Sequence, residues 1–281
     1  MTTPTLSFGI ELELYLKPTS EPLLQLLGSS GFYTKNIDQT QKFEAVRKVI
    51  AAMLTKNFIP AQTDKTHDFR KWIVASEILD KIGGGHCPCE IVSPILYTDQ
   101  ADWTEEVDGV FRVLREHCDI KLTTGCAMHV HIAPTHGKYS IEQALAVLNG
   151  ALYYEAPLKG MMPADRKKNP WAASNVEKLT DCSSMVNLVS KNTWAPVFDH
   201  YEVNKDIFHL RAVLGEAERY VSWNFLNITD ICGTIEFRRP PAVKASEDAK
   251  HWAAFALGFV AGAITVENRK EIDKTDDGRE E

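Results

Sequence analysis

The run Leu6-Ser7-Phe8-Gly9-Ile10-Glu11-Leu12-Glu13-Leu14-Tyr15-Leu16 alternates apolar and polar side chains, with Phe8, Ile10, Leu12 and Leu14 on one side and Glu11 and Glu13 on the other. Alternation with a period of two is the mark of a half-buried strand, because successive side chains leave opposite faces of the pleat. The chain therefore starts with a strand that has one dry face and one carboxylate face. Two later runs repeat the arrangement. His129 and His131 alternate with Met128, Val130 and Ile132, and Glu236 and Arg238 alternate with Ile235 and Phe237. Each polar pair is spaced by two and so shares a face.

The rest of the chain supplies elements to cover the apolar side. Phe43, Val46, Val49, Ile50, Met53 and Leu54 recur at helical spacing up to Pro60. Trp72 to Leu79 and Glu90 to Leu96 read as strands joined through Gly83-Gly84-Gly85, where the connection needs backbone freedom. Val107, Val110, Phe111 and Leu114 predict a helix over Trp103 to Cys118. Ser140 followed by Gln143 is a capping-box pattern that opens a helix reaching Tyr154. Pro163 to Asn175, rich in charge, proline and asparagine, reads as a loop, and Val176 to Val189 and Asp206 to Glu218 as weaker helices. Val221 to Ile228 and Thr234 to Arg238 close the strand set, and a helix runs from Ser246 to about Asn268. Strands and helices alternate irregularly without a repeat or a low-complexity linker. The expectation is a single α+β domain over residues 1–268, followed by a charged, disordered tail over 269–281.

Composition narrows the function. The 281 residues are 44% hydrophobic and carry a net charge of −7, which excludes a protein built to neutralise nucleic acid or anionic lipid. Trp252 to Val266 is too short to span a membrane and reads as a core helix, and Met1 to Phe8 has no secretory pattern. A cytoplasmic address is expected. The six cysteines, Cys87, Cys89, Cys118, Cys126, Cys182 and Cys232, are scattered, as suits a reducing compartment. His86-Cys87-Pro88-Cys89 is the exception, read as a tight turn with buried thiols rather than as zinc, since no second paired motif follows.

The polar faces admit two readings. One is a sheet face in water, which antiparallel sheets commonly have. The other is a site, because the outward groups are carboxylates, imidazoles and a guanidinium rather than a mixture with Lys and Thr. Glu11, Glu13, Glu90 and Glu236 carry four negative charges that two divalent ions would balance, and oxygen-rich ligands select Mg²⁺ or Mn²⁺, which keep positions open for phosphate oxygens. Arg238, on the face of Glu236, would hold a phosphoryl group beside that ion, whereas Arg239 must point the other way and pair structurally.

At these residues the chain resembles the amidoligase family of glutamine-synthetase-like carboxylate–amine ligases. The matching segments are Phe8-Gly9-Ile10-Glu11-Leu12-Glu13, Glu90-Ile91-Val92-Ser93-Pro94-Ile95-Leu96, Gly125-Cys126-Ala127-Met128-His129-Val130-His131 and Gly233-Thr234-Ile235-Glu236-Phe237-Arg238, in the family's order. The resemblance implies a curved, mainly antiparallel sheet with helices on one face and the active site on the other. It implies that Glu11, His129 and Glu236 bind one metal ion and Glu13 and Glu90 a second, that His131 and Asn224 face ATP, and that Arg238 contacts the transferred phosphoryl group. Arg166, Asn169 and Arg219 lie in segments like the family's arginine-bearing loop and strand entry, which implies contact with phosphate or substrate. Relatives carry Asp-x-Ser on the strand before the hairpin; this chain has Trp72-Ile73-Val74-Ala75-Ser76-Glu77, so Glu77 stands as the replacement metal ligand or as an ordinary strand residue.

The expected activity is an ATP-dependent, Mg²⁺- or Mn²⁺-dependent ligase that joins a small carboxylic acid or amino acid to an amine through an acyl-phosphate. The rivals are a phosphotransferase of guanidino-kinase type, a dinuclear hydrolase, and a metal- or nucleotide-binding module without catalysis. Oligomeric state, acid and amine are all open at this level.

Overall fold

A computed structural model describes residues 5–29, 32–33, 37–63, 69–80, 82–179, 187–189, 191, 193–203, 205–215 and 219–265. The fold is α+β, with helices and a mixed, mostly antiparallel open sheet. The chain divides into two compact units: Gly9–His129 with Pro241–Ala253, and Met1–Phe8 with Val130–Pro240 and Ala254–Glu281. The charged tail at 269–281 lies outside the described residues.

The first unit is built on β1 (Leu6–Pro18) from Gly9 onward; the strand alternates buried and half-buried positions as far as Leu14 and is almost wholly buried after it. Helices α1 (Glu21–Ser29) and α2 (Gln39–Lys56) follow. Asp38 opens α2 with a capping box, accepting from Gln41 N while the Gln41 side chain accepts from Asp38 N, so two orphan donors of the first turn are satisfied. Strands β2 (Ala61–Gln62), β3 (Trp72–Ser76), β4 (Cys87–Val92) and β5 (Leu96–Tyr97) precede α3 (Trp103–His117) and β6 (Cys118–Lys121). β2 runs parallel to β3, and β3, β4 and β1 follow antiparallel, with β5 and β6 also pairing with β1. Leu12, Leu14 and Leu16 face Ile91, Cys89 and Cys87 across the β1–β4 pair. This dry row packs under α2 and α3, whose Val46, Ile50, Leu54, Val110, Phe111 and Leu114 are buried.

Three strand boundaries differ from expectation, each for a local reason. β3 ends at Ser76 because the Glu77 carboxylate accepts from Ile78 N at 2.8 Å, turning the chain on itself. The expected strand Glu90 to Leu96 is broken after Val92: Ser93 Oγ takes Ile10 N at 2.9 Å, and Pro94 has no N–H for a ladder. β4 begins early, at Cys87, so Cys87-Pro88-Cys89 is strand and not a tight turn. The short strand β6 was not expected, since Cys118 follows α3 without any turn residue between them.

At its C-terminus α2 ends in a Schellman arrangement, with Phe58 N bonded to Thr55 O and Ile59 N to Leu54 O. The residue forced into the left-handed region is Phe58, at φ 64, and it is 96% exposed. Glycine takes this conformation without a Cβ clash, and no burial is lost by removing the ring. Phe58→Gly is therefore expected to stabilise the chain by about 1 kcal/mol, read by urea unfolding.

The second unit takes β7 (Met128–Pro134) from Val130 onward, then α4 (Ile141–Tyr153), α5 (Glu155–Met161), α6 (Ala164–Lys167) and α7 (Asn175–Leu179). Helices α8 (Ala195–Glu202) and α9 (Ile207–Gly215), strands β8 (Trp223–Asn224) and β9 (Ile235–Phe237), and α10 (Ser246–Thr265) complete the described elements. Ser140 and Gln143 form the expected capping box on α4. The sheet order here is β7-β9-β8, antiparallel throughout. Its apolar row is Val130, Phe237 and Trp223; Trp223 stacks on Phe237 at 4.4 Å and on Phe259 of α10 at 4.7 Å.

Two readings are corrected in this unit. Pro163 to Asn175 is not plain loop: it holds α6 and a 3-10 turn over Pro170–Ala172, capped by Asn169 Oδ1 on Trp171 N at 2.9 Å. The strand expected over Val221 to Ile228 shrinks to β8, because Asn224 Oδ1 accepts from Leu226 N at 3.0 Å and turns the chain into a 3-10 turn over Leu226–Thr229. Of the expected helices, Asp206 to Glu218 is α9 with 216–218 outside the described residues, and Val176 to Val189 begins with α7 while 180–186 lie outside them. No helix of the described residues is long and apolar enough to cross a membrane.

Candidate functional site

In the first unit, the polar face of the sheet gathers carboxylates about an imidazole. The register places Glu13 opposite Glu90, and Glu90 opposite Ala75, so both carboxylates leave the face away from Leu12, Leu14, Cys89 and Ile91. His129 carries its ring to the same strand: Nδ1 lies 3.1 Å from Glu11 Oε2 and Nε2 lies 3.6 Å from Glu13 Oε1. The main chain fixes this spacing, since Glu13 N donates to Ala127 O at 3.0 Å and Ile10 exchanges bonds with Ser93 on either side of Glu11. Glu90 is buried, while the Glu11 side chain keeps about a fifth of its surface, 22%, in solvent. His129 thus has one carboxylate at each ring nitrogen, and carboxylate oxygens beside an imidazole, with Glu11 partly open to solvent, are donor chemistry of the kind a hard divalent cation takes.

In the second unit the register aligns three polar side chains in one row across the sheet. His131 faces Glu236, and Glu236 faces Asn224. Asn224 Nδ2 donates to Glu236 Oε2 at 2.8 Å, and Arg238 Nη1 donates to Glu236 Oε1. His131 Nδ1 lies 3.3 Å from Thr234 Oγ1, which turns its Nε2 toward Glu236 Oε1, 3.6 Å away. Every member of this row except His131 is nearly withdrawn from solvent. A buried carboxylate beside a guanidinium, with an imidazole on the adjacent strand, can bind a cation and a phosphate oxygen together.

Behind that row, the arginines divide as the strand period requires. Arg238 stays on the face of Glu236, with Nε 3.4 Å from Trp171 O and its Cζ 5.9 Å from the Tyr220 ring. Arg239 turns to the other side, where Nη2 donates to Glu155 Oε1 at 2.9 Å in a fully buried pair. Arg166 is 1% exposed and donates Nη2 to Arg238 O at 2.8 Å and Nε to Arg239 O at 3.0 Å. Its guanidinium therefore grips the backbone that carries Arg238, which makes it a positioning residue by geometry. Glu155 also accepts from Val176 N at 3.0 Å. Removing one partner of a buried ion pair leaves the other charge stranded. Glu155→Ala is expected to lower unfolding free energy by about 3–5 kcal/mol in a denaturant titration.

The remaining sequence candidates lie as follows. Asn169 is buried and caps the turn that bears Trp171, its Oδ1 accepting from Trp171 N. Arg219 is exposed, with Cζ 5.3 Å from the Tyr220 ring. Glu77 is half-buried beyond the end of β3 and bonds to its own neighbour's N–H. His86 does not join Cys87 and Cys89, because its Nε2 reaches Asp119 at 2.9 Å on the face opposite Cys118. Sequence reasoning passed over Thr234, Ser93 and Asn175. The last braces β8 by donating Nδ2 to Trp223 O and accepting from Trp223 N, both at 2.8 Å. Only Thr234 carried a signal, its place two residues before Glu236 on the same face. A cavity of about 1230 Å³ in the first unit, lined by Phe58, Phe69, Ile95, Glu106 and Arg112, contains none of the candidate site residues.

A family model described as "putative amidoligase enzyme" matches residues 4–260. The chain belongs to this family. The match runs through all the strands and every residue named above as a candidate. Membership of the amidoligases indicates an amide-forming ligase. No curated protein matches the chain.

Proposed function

We propose that this amidoligase uses ATP and Mg²⁺ or Mn²⁺ to convert a small carboxylic acid or amino acid to an acyl-phosphate, from which an amine displaces phosphate to form an amide. The observation that carries this reading is the row His131–Glu236–Asn224 with Arg238 bound to Glu236. A structural ion pair would need only Arg238 and Glu236. The orienting amide of Asn224 and the neighbouring imidazole add directed donors and acceptors with the chemistry of a phosphoryl site.

The donor sets fit divalent ions. Glu11, Glu13, Glu90 and His129 in the first unit, and Glu236 in the second, are the residues that would hold them, since carboxylate oxygens with one imidazole suit Mg²⁺ and Mn²⁺. Bound there, the ions would supply charge neutralisation for the phosphates. Arg238 holds the transferred phosphoryl oxygens, His131 contacts the nucleotide phosphates, and Asn224 keeps Glu236 in its rotamer. Arg166 fixes Arg238 through the main chain. Arg219, exposed beside Tyr220, meets the acid substrate. The first transfer breaks the bond between the terminal phosphorus and the bridging oxygen of ATP and joins phosphorus to the substrate carboxylate. In the second, the amine nitrogen attacks the acyl carbon, loses a proton and expels inorganic phosphate. The motif order belongs with a glutamine-synthetase-like catalytic fold, which is part of the same proposal.

Hydroxylamine in place of the amine tests it. With ATP, Mg²⁺ and a panel of small acids and amino acids, the enzyme should release ADP and phosphate and yield an iron-complexing hydroxamate. A stable phosphorylated product without inorganic phosphate would identify a phosphotransferase instead. ADP release by no acid in the panel, despite nucleotide binding, would reduce the chain to a binding module.

A further inference from the structure

Cys87 and Cys89 take no part in the ligase reading, yet the fold points them at each other. Both leave β4 on the apolar face, opposite Leu16 and Leu14, and neither is exposed. Cys89 Sγ–H donates to Cys87 Sγ at 3.6 Å, and Arg47 Nη1 of α2 lies 3.8 Å from Cys87 Sγ. Two residues of strand span about 6.6 Å between Cα atoms, within the range of about 4.4–6.8 Å that a disulfide bridges. The guanidinium opposes a metal cation at the sulfurs and favours a thiolate. Cys87 is covered by Phe43 and Arg47, both only half-buried, so the sulfur lies one layer below solvent.

We propose that Cys87 and Cys89 are a peroxide-reactive dithiol that closes reversibly to an intramolecular disulfide. The Cys87 thiolate attacks one oxygen of hydrogen peroxide; the O–O bond breaks, leaving a sulfenic acid and a hydroxide that takes up the proton Cys87 released. Cys89 then attacks the sulfenic sulfur, the S–O bond breaks, and a second water leaves with the Cys89 proton. Two thiols are oxidised, one peroxide is reduced, and the net products are a disulfide and two waters. The division of labour follows the contacts. Cys87 Sγ lies against both the Cys89 Sγ–H and the Arg47 guanidinium, contacts that stabilise a charged sulfur, so Cys87 is the attacking thiol and Cys89 the resolving one. Cys118 has no such help, and burial pushes it up to about 12, which makes it an internal control.

The test treats the full chain with dilute hydrogen peroxide, alkylates remaining thiols without reduction, and reads peptides by mass spectrometry. The expected peptide carrying both residues lacks two hydrogens, takes up no label, and regains both labels after dithiothreitol, while Cys118 stays fully labelled. Cys89→Ser should trap a sulfenic acid on Cys87 that dimedone captures. Arg47→Met should slow the loss of label by about threefold or more, because the Cys87 thiolate loses its guanidinium. The proposal is overturned if Cys87 and Cys89 stay labelled, if Cys118 is oxidised as fast as the pair, or if dimedone finds no Cys87 in the Cys89→Ser chain.

Discussion

Glu236→Gln is expected to lower kcat by at least about a thousandfold while the protein still folds, a loss comparable to deleting one strong transition-state contact. The carboxylate sits at a junction. One oxygen takes the Asn224 amide at 2.8 Å and the other takes Arg238 Nη1, with His131 Nε2 3.6 Å from that same oxygen. Glutamine matches the shape but presents one acceptor and one donor. If its carbonyl keeps Asn224, its amide faces the guanidinium, donor against donor, and Arg238 must swing away. If it turns over, Asn224 loses its partner. In either orientation a negative charge is missing, so Mn²⁺ affinity should fall as well, measured by electron paramagnetic resonance without any knowledge of the substrate. Unchanged Mn²⁺ binding together with unchanged ADP release would remove Glu236 from the site.

Much of this arrangement was legible because strand period is a hard geometric rule. Alternation in Leu6 to Leu16 told which face Glu11 and Glu13 would take, and the same rule separated Arg238 from Arg239 before any contact was seen. Capping chemistry is similarly local, so Ser140 and Gln143 announced α4 correctly. Register is not local. That Glu13 stands opposite Glu90, and Glu236 opposite both His131 and Asn224, depends on strands brought together across the chain, and no residue type encodes the offset. Arg166 shows the same limit from another direction. In sequence it is an arginine in a charged stretch, to which the resemblance assigns contact with phosphate or substrate, yet its guanidinium donates to main-chain carbonyls 72 and 73 residues away. Carbonyl acceptors carry no side-chain signature. Cys87 was misread for a related reason: Pro88 suggested a turn, whereas proline is tolerated in a strand where its missing N–H breaks no needed bond.

Arg238→Lys is expected to reduce kcat by about 10²–10³ with a smaller change in KM for ATP, and the comparison with Arg166→Lys separates contact from support. Arg238 uses its fork geometrically: Nη1 on Glu236, Nε toward Trp171 O, and the guanidinium plane near the Tyr220 ring. A lysine ammonium can satisfy Glu236, but it is a point charge and cannot also hold the second bond or keep a planar edge free for phosphoryl oxygens. The charge remains while the geometry goes, so ground-state binding should survive better than turnover. Arg166→Lys acts through the backbone. It leaves the Arg238 side chain intact but loses one of two carbonyl bonds in a fully buried setting, so it should lower thermal stability together with kcat. Arg238→Lys should lower kcat with little change in melting temperature, because one buried cation replaces another beside the same carboxylate. If both variants lost stability and activity in the same proportion, Arg238 would be a structural counter-ion to Glu236, and the phosphoryl role assigned to it would fail.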